Sequence, residues 1–390
     1  MDVLNHAPAQ ARLSGREAPA VAETLRSLCA RVVEARRLGG ALRLRGSGSK
    51  DFYGEMARGE VLDVRQHRGV VRYDPSELVL TARAGTTLRD LETLLAEHGQ
   101  MLAFEPPHFG PEATLGGMLA CGLSGPRRAS SGAVRDYVLG LTLISPKGEI
   151  LRFGGEVMKN VAGYDISRLV IGSMGSLGLI AEASIKVWPV PAASETLWFS
   201  VDAALAIDLC NRWAAEPWPM TASAWIDGHL VLRMEGARAA VAQATRHWQQ
   251  EHGARFLTSA QASQFWDDLK EHRLAFFGAV RSAGRALWRI SVPSATPHQS
   301  HWGDTITEWG GAQRWVLTAP GDAQVRAQAK SLGGHATLFR ALDKRHPVFT
   351  PLEGPMLALQ QRIRREFDPG ALFNPGRFMP TLDADLRASA

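Results

Sequence analysis

Cysteine is scarce in this chain. Cys29, Cys121 and Cys210 are isolated and odd in number, with no C-x-x-C pair and no metal-ligand spacing. That excludes a disulfide framework, points to a reducing compartment and argues against an iron–sulfur cluster held by this chain. Long apolar runs are missing too. No window approaches a membrane span, and the N-terminus has no apolar stretch of signal-peptide length. A cytoplasmic location is expected, with any membrane contact made only through partners. Nor is one sign of charge dominant. The formal net charge is +5 over 390 residues, and basic residues form only short clusters such as Arg36-Arg37 and Arg364-Arg365. Nucleic-acid binding is therefore not implied, whereas an anionic cofactor or an acidic substrate is well served.

Aromatic residues are unevenly spread. All four tyrosines precede Trp188, and all eleven tryptophans lie at or after it. Most glycines also precede it. Trp188-Pro189-Val190-Pro191 therefore reads as a domain boundary. A chain this long accommodates two or three compact regions.

Glycine is abundant between Pro106 and Pro191. Gly110, Gly116, Gly117, Gly122, Gly125 and Gly132 come first, then Gly172, Gly175 and Gly178. Glycine inside a helix or strand costs about 0.5–1 kcal/mol relative to alanine. A chain carries that density where backbone turns sharply or lies against a ligand. Small neighbours such as Ala113, Ala120, Ser124 and Ala129 to Ser131 keep side chains out of the way as well. Tight turns in a sandwich or barrel are the plainer alternative. A second loop, Arg45-Gly46-Ser47-Gly48-Ser49-Lys50, follows the short strand Leu42-Arg43-Leu44. Its consecutive N–H groups suit an anion-binding nest, to which the Ser47 and Ser49 hydroxyls add donors. The same loop suits a plain hairpin turn. No G-x-x-x-x-G-K-[ST] loop is present, nor G-x-G-x-x-G, because Asp51 stands where the third glycine would be.

The remaining pattern supplies a scaffold. Residues 1–19 read as a ragged leader. Val21 to Leu38 reads as a helix with an apolar stripe at Val21, Leu25, Leu28, Val32 and Val33, stopped by Gly39-Gly40. Val61 to Val64 and Gly69 to Tyr73 read as strands. Leu78 to Ala84 alternates as a half-buried strand with Leu78, Leu80, Ala82 and Ala84 inward. Thr86 or Thr87 caps a helix that buries Leu88, Leu91, Leu94 and Leu95 and ends at Gly99. Tyr137 to Ile144 is a strand closed by the turn Ser145 to Gly148. Lys159 to Asp165 leads into a helix, Ile166 to Ile171. Beyond Pro191, strands are expected at 198–201, 222–226, 230–234, 287–292 and 313–317, and helices at 203–215, 237–252 and 356–367. His108 and the pair Arg127-Arg128 read as solvated loop residues.

Ala113-Thr114-Leu115-Gly116-Gly117 and Gly172 to Ile180, flanking the strand at 137–144, resemble the second half of the FAD-binding domain of the vanillyl-alcohol oxidase superfamily. The resemblance is nearest to the FAD-binding subunit of bacterial glycolate oxidase and runs from about Leu42 to Pro191, with a short return near the C-terminus. It implies an α+β fold. A PCMH-type FAD-binding domain of two α+β subdomains spans 1–191, an α+β cap with an antiparallel sheet spans 192–345, and 346–390 returns to the flavin. The implied FAD contacts are Arg45, Gly46, Ser47, Gly48 and Ser49 at the pyrophosphate. Pro106, Thr114, Leu115, Gly116, Gly117, Ala120, Cys121, Ser124 and Gly125 follow along the glycine run, then Gly178 and Ile180. Asn374 and Arg377 are implied at the isoalloxazine, with Asn160 and Tyr164 near it. Some relatives attach flavin through a histidine in the first loop. None is present here, so the FAD is expected to be non-covalent. Gly116→Val is expected to remove FAD more than it disturbs folding.

Where catalytic 2-hydroxy-acid dehydrogenases carry an H-x-G-D-G-N-x-H motif, this chain has Gly333-Gly334-His335-Ala336-Thr337-Leu338-Phe339-Arg340. A lone histidine makes no metal site, so no metal and no catalytic residue are assigned. The resemblance then implies a subunit of a multi-subunit glycolate (2-hydroxy acid) oxidase or dehydrogenase. Its partners would be a larger FAD-binding subunit, which oxidises the 2-hydroxy acid, and an iron–sulfur subunit that receives electrons. Two alternatives stand beside it. One is a self-sufficient oxidase with His335 as base and Arg340 holding the substrate carboxylate. The other is a scaffold that has lost flavin.

Overall fold

The computed structural model describes residues 19–155, 165–318, 323–342, 344 and 347–383. The expected leader, apart from its last residue, and the connection carrying Asn160 and Tyr164 lie outside the described residues.

The helix Pro19–Arg37 buries Leu28 and Val32 against Leu42, Leu62 and Phe373. Val33, expected on the same stripe, is 47% exposed. Gly39, at φ +64, ends the helix in the left-handed conformation that glycine adopts at low cost. Strands Leu42–Arg45 and Glu60–Asp63 then pair in parallel. Among the described residues, five antiparallel strands form the next layer, in the spatial order 70–74, 79–83, 179–186, 138–144 and 150–154. The strand Val79–Arg83 is buried at every residue, not on one face only. It lies inside the sheet with neighbours on both sides, and its polar face is closed by Thr81 Oγ1 bonded to Ser184 Oγ at 2.8 Å. Thr87 caps the helix Leu88–Glu97 by accepting from Asp90 N, and Leu88, Leu91 and Leu95 enter the core.

From Ala193 the chain builds a second layer. Among the described residues, eight antiparallel strands run in the order 255–256, 193–200, 229–236, 220–226, 305–308, 313–318, 286–291 and 335–340. The strand Thr305–Glu308 was not legible in the sequence, and the Gly333–Arg340 segment, expected as a motif, is the edge strand His335–Arg340. Helices Ala203–Ala214 and Arg238–His252 cover one face through Trp213 and Trp248.

The two layers meet through a buried ionic cluster. Arg233 contacts Glu105 at 2.8 Å and Glu235 at 3.1 Å, and Arg127 pairs with both carboxylates. Arg127 is 5% exposed, so it is no solvated loop residue. Burial alone would raise the Glu105 carboxyl; Arg233 and Arg127 outweigh it and hold the group below the usual carboxylate range.

The C-terminal helix Gly354–Phe367 looks ordinary in sequence but carries a buried hub. Arg364 pairs with Asp368 at 2.7 Å and Asp383 at 2.8 Å, and donates to the carbonyls of Phe373 and Ser176. Asp368 in turn accepts from Leu372 N and Phe373 N. This hub turns the chain back so that Phe373 bridges to Leu42 beside the first strand pair.

Candidate functional site

The strand Leu42–Arg45 delivers the loop Gly46–Ser49 to the mouth of a cleft with about 800 Å³ of open space. Gly48 holds φ +80, and a Cβ there would fall 2.2 Å from the Arg45 guanidinium. The loop therefore needs glycine to let Arg45 fold over it. Arg45 and Arg43 both pair with Asp51, at 2.9 and 2.7 Å. Lys50 is 6% exposed, and its Nζ donates to the His108 carbonyl at 3.1 Å. Burial lowers its pKa, against the pull of Cys121 and Glu271. Among the described residues lining the cleft, Arg43, Arg45, Lys50 and Arg377 face a single carboxylate, Asp51, a surplus matched to a pyrophosphate.

The opposite wall is the glycine run. Thr114 caps the helix Leu115–Cys121 by accepting from Gly117 N. A Cβ on Gly46 would fall 2.3 Å from Thr114 Oγ1, so the two turns touch. Gly117, Ala120 and Cys121 line the cleft from this helix, and Gly178, Leu179 and Ile180 line its floor.

Most of the expected contact residues are brought together here: Arg45 to Ser49, Thr114, Gly116, Gly117, Ala120, Cys121, Gly178, Ile180, Asn374 and Arg377 all line the cleft. Four are not. Leu115 is fully buried in the core, its N–H bonded to the Thr86 carbonyl. Pro106 is buried beside Glu105. Ser124 accepts from Val134 N and lines a separate chamber with Arg289 and Trp309, and Gly125 packs on Glu105 and accepts from Trp309 Nε1, so both face the second layer.

Three roles differ from expectation. Gly116 touches the cleft with backbone only; its Cβ would fall 2.8 Å from Ala84 Cβ, and its N–H is bonded to the Ala84 carbonyl. A valine there would strike the central strand rather than cofactor space. Asn374 uses both ends of its amide internally, accepting from Leu44 N and donating to the Met174 carbonyl, each at 2.7 Å. Arg377 donates to the carbonyls of Glu55, Lys50 and Asp51. Both tie the returning segment to the loops rather than offering those groups to a ring. Arg43, Lys50, Asp51, Met174 and Gly175 were missed as lining residues. The signal for the first three was present: a cation or acid at each flank of the glycine–serine loop.

His335 and Arg340 do not meet in one described cavity. His335 lines a separate chamber with Arg289, whereas the Arg340 guanidinium lies 3.9 Å from the centre of the Phe52 ring and 4.9 Å from that of Phe109. Among the described residues, no group of three or more His, Cys, Asp or Glu is placed to hold a metal, and no helix is long and apolar enough to cross a membrane.

Comparison with known proteins bears on this cleft directly. The model of the FAD binding domain family matches residues 17–154, which include the loop and the first glycine wall. Over 341 residues the chain is 46% identical to glycolate oxidase subunit GlcE of Escherichia coli, covering 87% of this chain and 93% of that protein. This chain belongs to the GlcE family of glycolate oxidase subunits. It is an FAD-dependent oxidoreductase subunit, and its cofactor is FAD. Glycolate oxidase subunit GlcD of Bacillus subtilis matches part of this chain: 33% identity over 165 residues, 41% of this chain and 35% of that protein. Alkyldihydroxyacetonephosphate synthase shares the fold, with a TM-score of 0.63 over 89% of this chain and 75% of that one, at 18% identity. The cation surplus at the loop and the glycine-rich walls fit the dinucleotide.

Proposed function

We propose that this chain is the FAD-carrying subunit of a multi-subunit glycolate (2-hydroxy acid) oxidase that passes electrons from substrate oxidation toward an iron–sulfur partner. Residues 1–191 hold the FAD, 192–345 cover it and 346–390 close the back of the cleft. The observation that carries the reading is the cation-rimmed cleft. The N–H groups of Gly46 to Ser49, with Arg45 and Lys50, bind the pyrophosphate. Gly117, Ala120, Gly178 and Ile180 give the ring a flat wall.

Among the described residues no histidine lines the cleft, which supports non-covalent attachment. Bound there, the flavin supplies the redox chemistry; the protein binds it, orients it and tunes it. Substrate oxidation is assigned to a larger GlcD-like partner, because the segment Gly333–Arg340 lacks the acidic, amide and second histidine positions of a metal site. The complex sits in the cytoplasm and reaches the membrane only through partners.

Native co-purification of the tagged chain tests this. A flavin-binding partner and an iron-containing partner should come down together, with more than one flavin per copy of this chain. A chain that purifies alone from its native cell, without iron, overturns the assembly.

A further inference from the structure

A second chamber, with about 750 Å³ of open space, lies between the two layers. One sheet of main chain separates it from the FAD cleft. Cys121 lines the cleft and the next residue, Gly122, lines the chamber; Met174 lines the cleft and Gly172 the chamber. The two strips are bonded to each other, Gly172 N to Leu119 O at 3.0 Å and Met174 N to Ala120 O at 2.9 Å.

The lining of the chamber is strongly cationic. Arg128, Arg135 and Arg289 reach it from three different elements, and His335 stands beside Arg289 on the neighbouring strand. Among the described residues no carboxylate lines it. The nearest acid acting on Arg128 is Asp136, which already accepts from Ala133 N at 2.8 Å. Arg128 instead lies over the Trp309 ring at 4.5 Å, and Arg289 donates to the Tyr53 hydroxyl at 3.2 Å. Burial is the main cause that lowers the Arg128 pKa, and the Arg289 and Arg135 charges add to it. Three guanidinium groups that converge without an acid are compensated most directly by an anion. Trp309 and Ile171 add an apolar flank, which an organic acid uses and an inorganic ion does not.

We propose that this chamber is a binding site for a small carboxylate, held by Arg128, Arg135 and Arg289 one backbone layer from the flavin cleft. The site is this chain's own and does not depend on the relay role proposed above. It gives the subunit a means of sensing or receiving a small organic acid.

Calorimetric titration of the purified full chain with glycolate, and separately with inorganic phosphate, tests the assignment. Flavin content is read from the absorbance of the same sample, so a failure of the cofactor reading shows as a colourless protein whatever the titration gives. Saturable glycolate binding is expected, with phosphate weaker by about tenfold. Arg128→Gln and Arg135→Gln should each weaken glycolate binding by about tenfold, the scale of one lost charge-assisted bond. Arg135 is exposed, so its variant should keep the parent melting temperature. Arg168→Gln, at an exposed ion pair outside the chamber, should bind as the parent does. Absence of glycolate binding by a folded chain, affinity unchanged in both chamber variants, or phosphate binding as tight as glycolate would each overturn the proposal.

Discussion

Replacing Glu308 by glutamine isolates one buried charge at the junction of the layers. Glu308 is 4% exposed, and its Oε1 accepts from Gln313 Nε2 and Trp315 Nε1. Burial raises its pKa from 4.5 to about 7; the Trp315 and Gln313 bonds oppose the rise, and the Glu105 charge adds to it. Between those two values the unfolded chain has released the proton and the folded chain still holds it. The folded state therefore binds more protons, and stability falls as pH rises from 4.5 to about 7. At about 1.4 kcal/mol per pH unit, the full penalty above pH 7 is about 3 kcal/mol. Glutamine keeps the Oε1 acceptor and has no proton to lose. Glu308→Gln should be more stable than the parent by about 3 kcal/mol at pH 8 and by less than about 1 kcal/mol at pH 5. Urea unfolding followed by tryptophan fluorescence at both pH values measures the difference. An equal effect of the substitution at pH 5 and pH 8 would refute the reasoning, because it would mean that Glu308 does not titrate between them.

Three further outcomes are expected. Gly116→Val should lower stability by about 1–3 kcal/mol through overpacking against Ala84, whereas Gly117→Val, whose Cβ meets only Thr114 Oγ1, should fold and lose FAD; thermal melts and flavin absorbance separate the two. Lys50→Met should raise the melting temperature of the flavin-free chain by removing a buried cation, and should weaken FAD binding by about tenfold or more, a charge-assisted bond being worth about 1.5–3 kcal/mol; fluorescence titration reads the second effect. Arg364→Ala leaves Asp368 and Asp383 unpaired in the interior and should cost about 3–5 kcal/mol in denaturant unfolding.

The cleft at the glycine–serine loop was legible because its physics is local. A loop that needs Gly48 at positive φ, or a helix that opens on Thr114 and two glycines, leaves its requirement in the residue types themselves. What was not legible depends on residues far apart in the chain. Glu105 meets Arg127 and Arg233 only after folding, so a buried cluster looked like a solvated loop. Arg364 sits in a helix whose pattern is unremarkable until Asp368 and Asp383 close on it. Asn374 lines the cleft, but its amide is spent on Leu44 and Met174, which no short-range pattern reveals. In the eight-stranded sheet, Thr305–Glu308 is short and buried at every residue, so no alternation marks it. The glycines of the run divide in the same way: Gly117 keeps the cleft open, whereas Gly116 lets a helix lie on a strand, and sequence alone gives both the same appearance.

The central claim is that the loop at 45–50 and the glycine wall at 114–121 close on one FAD. Titration of the flavin-free chain with FAD, followed by flavin fluorescence and by absorbance near about 370 and 450 nm, tests it most directly. One FAD per chain is expected, released intact on denaturation, with Lys50→Met binding more weakly. A folded chain that shows no saturable binding, or one whose flavin stays attached after denaturation, would contradict it.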